Sequence, residues 1–288
     1  MGILSEKVDQ IIAVVVIFNT KIEESETLIS LSGSLAQTSD SMDLVVYDNS
    51  LHPVWESGSV FTMEFFRIHY FHDPSNPGVS KAYNFAARYA QQLKKRWILL
   101  LDQDTSFPID TISTYVSALK NHPTIKLFAP VLKLSDDRIL SPSRYFFKRG
   151  FALKKITPGL HSLKRISPLN SGMLIELDTF IISGGYNEKI KLDFSDFQFI
   201  ERFKKNSDQF CIINVISLHE FSDEETNTVK LNERFFFYCD GAKNSEKSSF
   251  CDRLIYFMVV LLRATNLVYR TKDIIFYKTF IHHYLRQL

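Results

Sequence analysis

The stretch WILLLDQDTSF, Trp97 to Phe107, joins five apolar residues directly to two carboxylates that stand two positions apart. A short apolar run of this kind predicts a strand covered on both faces. Asp102 and Asp104 follow it, and adjacent carboxylates repel each other unless a positive group lies between them. Mg²⁺ and Mn²⁺ prefer oxygen ligands and leave positions open for phosphate oxygens. The stretch therefore indicates a metal site at a strand end; the alternative is a turn with a solvated acid pair.

Strand and helix patterns alternate through the first 130 residues, which predicts parallel βαβ units and an α/β fold. In such sheets, ligands bind where strands end at their carboxyl side. Asn19, Asp48 and the Asp102–Asp104 pair all follow predicted strands, so they are expected to line one edge. The predicted strands cover residues 11–18, 43–50, 65–71, 97–104 and 125–132, and the predicted helices cover 22–36, 76–96 and 110–121.

The second half of the chain is less regular. Residues 138–168 contain prolines, basic residues and no clean period, which predicts a loop-rich excursion. Strands are then expected at 173–177 and 211–219, with a helix from about Asp196 to Lys205 between them. The segment 219–228 is polar and is predicted to be mobile. Residues 252–288 carry long helical patterns and form a predicted C-terminal extension.

Composition excludes several classes of protein. Hydrophobic residues make up 45% of the 288 and charged residues 23%, as in ordinary globular chains. The net charge of +2 gives no reason to expect a nucleic-acid partner, and the three cysteines lack metal-site or disulfide spacing. The apolar run Ile11 to Phe18 is too short to span a bilayer, and no secretion signal is expected.

Basic residues are concentrated in two places. Residues 138–175 contain eight Lys or Arg and no acid, and residues 251–288 contain six against two acids. The tail also carries the apolar run LIYFMVVLL, Leu254 to Leu262, which is too short to span a bilayer. Such a mixture predicts docking on an anionic membrane surface, while the alternatives are packing on the rest of the chain or a homodimer contact.

Six motifs together resemble inverting family-2 glycosyltransferases of the GT-A fold. They are VVVIFN, VVYDNS, NPGVSKAYNFA, LLLDQD, NSGMLI and GGYNEKIKLDFSDFQFIERF, and they span roughly Ile11 to His219. The last is most similar to rhamnosyltransferases of bacterial polysaccharide and O-antigen synthesis, which show an acid-x-x-acid step followed by an arginine. The resemblance implies a Rossmann-like, mostly parallel central sheet flanked by helices.

The resemblance also implies where the donor and a metal bind. Asn19 and Asp48 would hold the nucleoside of a dTDP- or UDP-sugar. Asp102 and Asp104 would place Mg²⁺ or Mn²⁺ on its diphosphate, with the strand-end His219 close to the metal. The loop and helix that flank the nucleotide would contribute Asn76, Gly78, Lys81 and Asn84.

The resemblance implies that the motif GGYNEKIKLDFSDFQFIERF carries the catalytic residues. Asp196 would be the base, Asp193 would share its face of the helix or cap it, and Arg202 would steady the acidic site or bind phosphate. Gln198 stands where the rhamnosyltransferase relatives usually have Glu. Residues 170–172 would line the donor-sugar pocket or, alternatively, form only a turn that leads into a strand.

The resulting hypothesis is a metal-dependent inverting transferase with a catalytic domain at 1–220. Its nucleotide-sugar half would be 1–130, its acceptor half 131–220, and its linker and helical extension 221–288. It would move rhamnose, or alternatively galactofuranose, glucose or galactose, to a lipid-linked oligosaccharide in the cytoplasm, at the inner face of the cytoplasmic membrane. A sugar nucleotidyltransferase and a non-catalytic glycan-binding scaffold are the other classes considered; the former usually has a glycine-rich basic loop that is absent after VVVIFN.

Overall fold

The computed structural model describes residues 7–219 and 227–286, which form an 11-stranded main sheet and a separate three-stranded sheet. The strands are β1 (Ile11–Ile17), β2 (Met42–Asp48), β3 (Val60–Met63), β4 (Phe66–His72), β5 (Trp97–Asp102), β6 (Thr105–Ser106), β7 (Leu127–Lys133), β8 (Ile139–Ser141), β9 (Ser143–Phe146), β10 (Arg149–Phe151), β11 (Gly159–Ser162), β12 (Ile166–Ser167), β13 (Met173–Glu176) and β14 (Gln209–His219). The five strands predicted for the first 130 residues are confirmed, and β3 is an addition that the sequence pattern does not predict.

Helices cover both faces of the main sheet. They are α1 (Glu26–Thr38), α2 (Val79–Gln92), α3 (Thr111–Asn121), α4 (Leu177–Ile182), α5 (Ser195–Phe203), α6 (Thr228–Asn244), α7 (Phe250–Thr271) and α8 (Ile275–Thr279), followed by a π-helical turn at Phe280–Leu285. The helix predicted from residue 22 begins later, because Ser25 caps it by accepting a hydrogen bond from the Leu28 N–H. A short 3₁₀ turn, Ile22–Glu24, precedes it.

Strand β1 lies at the centre, and its apolar sequence follows from burial on both faces. Alternate residues of β1 pack against α1 and α3 on one side and against α2, α4 and α5 on the other. The chain runs outward from β1 through β2 and β4, then returns to place β5 on the other side of β1, with all these pairs parallel. The topological switch point therefore lies between the paired strands β1 and β5, and a crevice is expected outside their carboxyl ends.

The sheet becomes mixed beyond β5. Strand β13 is antiparallel to both β5 and β7, and β14 is parallel to β7. The end of β14 also pairs with β6, with His219 opposite Thr105. This pairing carries His219 to the loop that holds Asp102 and Asp104.

The prediction of a loop-rich segment for residues 138–168 is wrong. The segment contains five short strands: β8 pairs with β7, β11 pairs with β14, and β9, β10 and β12 form the small sheet. Each strand has only two to four residues, so alternation is too brief to leave a period in the sequence. The hairpin of β9 and β10 turns at Phe147 and Lys148, both with positive φ.

The C-terminal helices share a hydrophobic cluster of their own, built around Phe235, Tyr256, Val260 and Phe276. Phe194, from the loop before α5, is part of the same cluster, so the extension packs on the preceding part of the chain. The predicted helical tail is present; α6 is an addition. The predicted boundary near residue 220 stays a prediction, and 220–226, most of the segment predicted to be mobile, lie outside the described residues.

Within residues 7–219 and 227–286, the structure contains no helix with the length and apolar character that crossing a membrane requires.

Candidate active site

The end of β5 supplies the first carboxylate of the site. The Tyr83 hydroxyl donates a hydrogen bond to Asp102 Oδ1 (3.1 Å), and the Thr27 hydroxyl donates to the Asp102 carbonyl (2.6 Å). Burial raises the pKa of Asp102, and the charge of Asp104 adds to that rise, whereas His219 opposes it. The strand end is therefore held by two side-chain hydrogen bonds, and the negative charge of the Asp102 carboxylate is only partly compensated by protein groups.

Hydrogen bonds of Thr105 join the loop that carries the second carboxylate, Asp104, to the end of β14. Buried Thr105 shares hydrogen bonds with Ser171 Oγ (2.7 Å) and with His219 Nδ1 (2.9 Å). His219 Nδ1 also lies 3.6 Å from Asp104 Oδ1. The predicted metal residues Asp102, Asp104 and His219 are thus brought to one loop, although they come from strands over 100 residues apart.

The donor set fits a divalent cation that shares its coordination with a ligand. In the described part of the chain, no three His, Cys, Asp or Glu side chains form a group that could hold a metal by themselves. The pKa of Asp102 is raised in part by the charge of Asp104, so the ionised pair would be stabilised by a positive charge nearby. Asp104 keeps 44% of its side chain exposed at the edge, while its Oδ1 atom is buried. Such a pair suits a cation that completes its shell with phosphate oxygens and water.

The predicted nucleoside residues lie beside this loop at the switch point. Asp48, at the end of β2, is buried, and its carboxylate accepts hydrogen bonds from the Tyr70 hydroxyl (2.6 Å) and the Ser50 N–H (2.8 Å). Asn19 follows β1 with a positive φ, and its N–H donates to Ser50 Oγ (2.9 Å). The structure thus fixes Asp48 in one orientation and leaves the Asn19 side chain exposed.

The loop before α2 and the first turn of α2 carry three further predicted residues. Exposed Asn76 has a positive φ, and Lys81 forms an ion pair with Asp73 (2.9 Å). Gly78 also has a positive φ, and a Cβ atom there would lie 2.2 Å from the Lys191 carbonyl oxygen. Glycine is therefore required because two backbones touch, which places the loop that leads to α5 against the start of α2.

Asn84 contacts the loop of residues 184–188, which leads to α5. Its amide donates to the Tyr186 carbonyl (2.9 Å) and to Glu188 (3.0 Å), and its oxygen accepts from the Tyr186 N–H (2.8 Å). A Cβ atom at Gly185 would lie 2.4 Å from this oxygen. The observed contacts of Asn84 position the 184–188 loop, and its predicted contact with the nucleotide stays a prediction.

Asp196 lies in the first turn of α5. The helix begins at Ser195 and its cap is Phe194 in a left-handed conformation, so the alternative that Asp193 caps it is wrong. Burial raises the pKa of Asp196 to about 7; the Phe197 N–H (2.9 Å) opposes the shift, and the charges of Asp193 and Asp102 add to it. A carboxyl group with this pKa can accept or release a proton near neutral pH.

Two buried tyrosines, Tyr83 and Tyr186, lie close enough to Asp102 and Asp196 for both carboxylates to add to the rise in tyrosine pKa that burial causes. The rings of Tyr83 and Tyr186 lie 5.3 Å apart, and Tyr186 stacks on Phe199, one turn along α5 from Asp196 (4.4 Å). The Tyr186 hydroxyl donates to Asn170 Oδ1 (2.7 Å), within the NSGMLI motif. Neither tyrosine is predicted from the sequence; the signal for them is their position inside the two longest of the six motifs.

The model of the family described as glycosyl transferase family 2 matches residues 13–172, more than half of the chain. The chain belongs to this family. The matched range contains the Asp48, Asp102 and Asp104 positions but ends before Asp196, so the role of α5 rests on the geometry above. No curated protein matches the chain.

Solved structures of S. aureus TarS resemble this family-2 glycosyltransferase in fold. The TarS fragment 1–349 has a TM-score of 0.52 at 15% identity, and the match covers 95% of this chain and 78% of the fragment. The same fragment in complex with UDP-GlcNAc has a TM-score of 0.53 at 15% identity, covering 89% and 72%. The longer TarS structure has a TM-score of 0.50 at 14% identity, and this chain covers only 42% of it. The similarity supports the GT-A fold.

Two polar residues of α5 in the transferase, Arg202 and Gln198, contact the segment 184–187, and Arg202 also contacts the C-terminal extension. The Arg202 guanidinium donates to the Gly184 and Gly185 carbonyls (3.1 and 2.9 Å) and to Glu246 (2.9 Å from Nε). Gln198 is buried and accepts a hydrogen bond from Asn187 (3.2 Å). Arg202 therefore ties α5 to the 184–185 turn and the C-terminal extension, and its predicted phosphate contact stays a prediction.

Proposed function

We propose that this glycosyltransferase inverts the configuration of the anomeric carbon of the sugar it transfers, with Asp196 as the base. The observation that carries the proposal is the partly buried Asp196 carboxyl, with a pKa of about 7, which acts with Asp102 on the same Tyr83–Tyr186 pair. A base near neutral pKa beside an edge suited to a diphosphate is what direct displacement at an anomeric carbon requires.

The reaction follows from these positions. Asp196 takes the proton of an acceptor hydroxyl while the hydroxyl oxygen forms a bond to the anomeric carbon. The bond from that carbon to the diphosphate oxygen breaks, and its electron pair leaves with the diphosphate. Attack opposite the leaving group inverts the centre, so no covalent enzyme intermediate is needed.

Asp102, Asp104 and His219 are proposed to hold Mg²⁺ or Mn²⁺. When bound, the cation would neutralise charge on the leaving diphosphate. Asp48 and Asn19 would orient the nucleoside, and the hydrogen bonds to Asp48 keep its carboxylate fixed for that purpose.

Rhamnose is the favoured sugar, carried by dTDP or UDP. The support is the acid-x-x-acid step of Asp193 and Asp196 followed by Arg202, typical of the rhamnosyltransferase relatives. Galactofuranose, glucose and galactose donors use the same chemistry. The neighbour crystallised with UDP-GlcNAc adds that sugar nucleotide to the set that needs testing.

A donor screen by thermal unfolding tests the proposed function. A ligand at one hundred times its Kd stabilises a protein by about 2.7 kcal/mol, so the true donor is expected to raise Tm clearly. The tested set is dTDP-rhamnose, UDP-sugars including UDP-GlcNAc, and GDP-sugars, each with Mn²⁺, Mg²⁺ or EDTA. If no sugar nucleotide changes Tm in any of these conditions, a glycan-binding scaffold becomes the better hypothesis; pyrophosphate release from a nucleoside triphosphate and a sugar phosphate would indicate a nucleotidyltransferase.

A lipid-linked oligosaccharide is the proposed acceptor, with the tail on an anionic membrane. Helix α7 buries one face and exposes an apolar stripe on the other: Phe250, Leu254, Met258, Leu262 and Tyr269. Exposed Arg253, Arg270 and Lys272 flank the stripe. An apolar face rimmed by cations suits an interfacial helix on anionic lipid.

We expect the full chain to co-sediment at low salt with vesicles that contain phosphatidylglycerol. The double variant Leu254→Asp/Leu262→Asp should lose most of this binding, since it places two carboxylates on the stripe. Ile29→Asp/Ile182→Asp is the matched control, because both residues are exposed and lie outside α7. No sedimentation of the wild type would contradict membrane docking; a dimer on gel filtration that only the α7 variant disrupts would assign the stripe to a second copy.

A further inference from the structure

The hairpin of β9 and β10 exposes aromatic and basic side chains on one face. Phe146 lies opposite Arg149, and Arg144 lies opposite Phe151. Directly opposed residues of antiparallel strands share one face, so each of these pairs joins a phenyl ring to a guanidinium group. Phe146 is 54% exposed and Phe151 is 45% exposed. The outer face of the hairpin therefore presents alternating rings and cations to its surroundings.

The turn of the hairpin displays a third aromatic ring on a strained backbone. Phe147 and Lys148 form a two-residue connection, and both have positive φ (48° and 55°). Such turns favour Asn-Gly, and a bulky residue at positive φ is an outlier. The Phe147 ring is nevertheless 54% exposed, and it lies 4.4 Å from the equally exposed ring of its neighbour Phe146. Packing within the chain does not account for an aromatic residue here, and strained positions of this kind cluster at functional sites.

The opposite face of the hairpin is held against α5 and α7. Tyr145 stacks on Phe197 of α5 (5.1 Å), and its hydroxyl donates a hydrogen bond to Glu201 (2.9 Å). Lys148 pairs with the same Glu201 carboxylate (2.9 Å) and with Asp252 in the first turn of α7 (3.2 Å). The contacts that hold the hairpin therefore use its inner face and bring its turn to the start of α7, while the outer face stays open to a partner.

Charge restricts the kind of partner that this outer face fits. Residues 138–175 contain eight Lys or Arg and no acid. Arg144, Lys154 and Lys155 are exposed, and within residues 7–219 and 227–286 they have no ion-pair partner. Exposed rings among unpaired cations are complementary to a surface that is anionic outside and apolar beneath. The headgroup layer of an anionic bilayer has both properties.

We propose that the β9–β10 hairpin is a membrane contact, in which Phe146 and Phe147 enter the headgroup region of an anionic bilayer. Arg144 and Arg149 contact the lipid phosphates around them, because a guanidinium group presents a fork of donors that matches phosphate oxygens. The inference rests on the membrane docking proposed for α7 and adds a second, separate element to it. It does not depend on which sugar is transferred.

Co-sedimentation of the full chain with phosphatidylglycerol vesicles at low salt tests the rings. Phe146→Ser/Phe147→Asn should lower the partition coefficient about tenfold or more, since it removes the apolar area of two rings. Asn tolerates positive φ, so the turn should form; Phe147→Asn alone serves if the double variant unfolds. Ile29→Ser/Ile182→Ser is the matched control, because both residues are at least as exposed and lie outside the hairpin. Wild-type binding in the hairpin variants, or loss only in the α7 variant, would overturn the proposal and leave α7 as the docking element.

Lipid charge and oligomeric state test the cations and the choice of partner. Arg144→Gln/Arg149→Gln should weaken binding to anionic vesicles by about fivefold for each cation and change binding to phosphatidylcholine vesicles little. Arg138→Gln is the matched control, since it pairs with Asp136 at the surface. Equal binding of the wild type to both lipids would contradict the role of the cations, and a dimer that only the hairpin variants disrupt would assign the face to a second copy. UDP affinity should stay at the wild-type value in every variant; a wild type that binds vesicles but no nucleotide would contradict the transferase function alone.

Discussion

Asp196→Asn is expected to lower kcat for sugar transfer by about 10²–10⁴-fold, the range that a positioned base contributes. An amide keeps the shape of the carboxyl group but cannot take a proton at neutral pH. The affinity for the nucleotide should change little, because Asp196 lies on α5 and not on the strand ends proposed to bind the nucleotide. Initial rates and calorimetric titration of the nucleotide measure the two effects separately.

The pH profile gives an independent test of the same residue. Burial raises the pKa of Asp196 to about 7, so its carboxylate form increases as pH rises through 7. We expect kcat of the wild type to fall below pH 7 and this limb to be absent in the variant. Because the raised pKa makes the folded state bind the proton more tightly than the unfolded state, the Asp196 contribution to stability decreases as pH rises from about 4 to about 7.

Asp208→Asn is the matched control for this experiment. Asp208 is partly exposed, pairs with Lys164 (2.8 Å) and lies outside the site. It should keep wild-type kcat and pH dependence. More than a tenth of the transfer rate remaining in Asp196→Asn would remove Asp196 from the role of base.

Asp104→Asn is expected to weaken metal-dependent binding of UDP or dTDP by at least about 10–100-fold. Loss of partners beyond the ligands of a metal site already costs that much in many proteins, and a proposed ligand should cost no less. Asp102→Asn should have a smaller effect on binding, since Asp102 is shielded by Tyr83 and Asp104 is the more exposed carboxylate. Calorimetry with Mn²⁺ and with EDTA gives the metal-dependent part.

Asp102→Asn should also move the acid limb of the kcat profile to lower pH. The charge of Asp102 contributes to the raised pKa of Asp196, so its removal makes Asp196 easier to ionise. Asp136→Asn, a surface carboxylate paired with Arg138, should alter neither the affinity nor the profile. Metal-dependent affinity that persists unchanged in both site variants would exclude the proposed metal role of this pair.

Much of the fold can be predicted from local residue patterns. Eight apolar residues in Ile11 to Phe18 and five before Asp102 require strands covered on both faces, and alternation with helices requires parallel crossovers. The carboxyl ends of such strands must meet, which is why Asn19, Asp48 and Asp102 could be predicted to share an edge. The short strands of residues 138–168 could not be predicted, because two to four residues carry no usable period.

The sequence by itself thus determined the α/β sheet, its polar edge and the family motifs, since these depend on neighbouring residues and strand direction. Only the tertiary structure decided which distant groups meet. The pairing of β14 with β6 puts His219 beside Asp104, and burial in the folded chain raises the pKa of Asp196. These properties depend on desolvation and on contacts between segments over 100 residues apart, and such contacts leave no trace in local residue spacing.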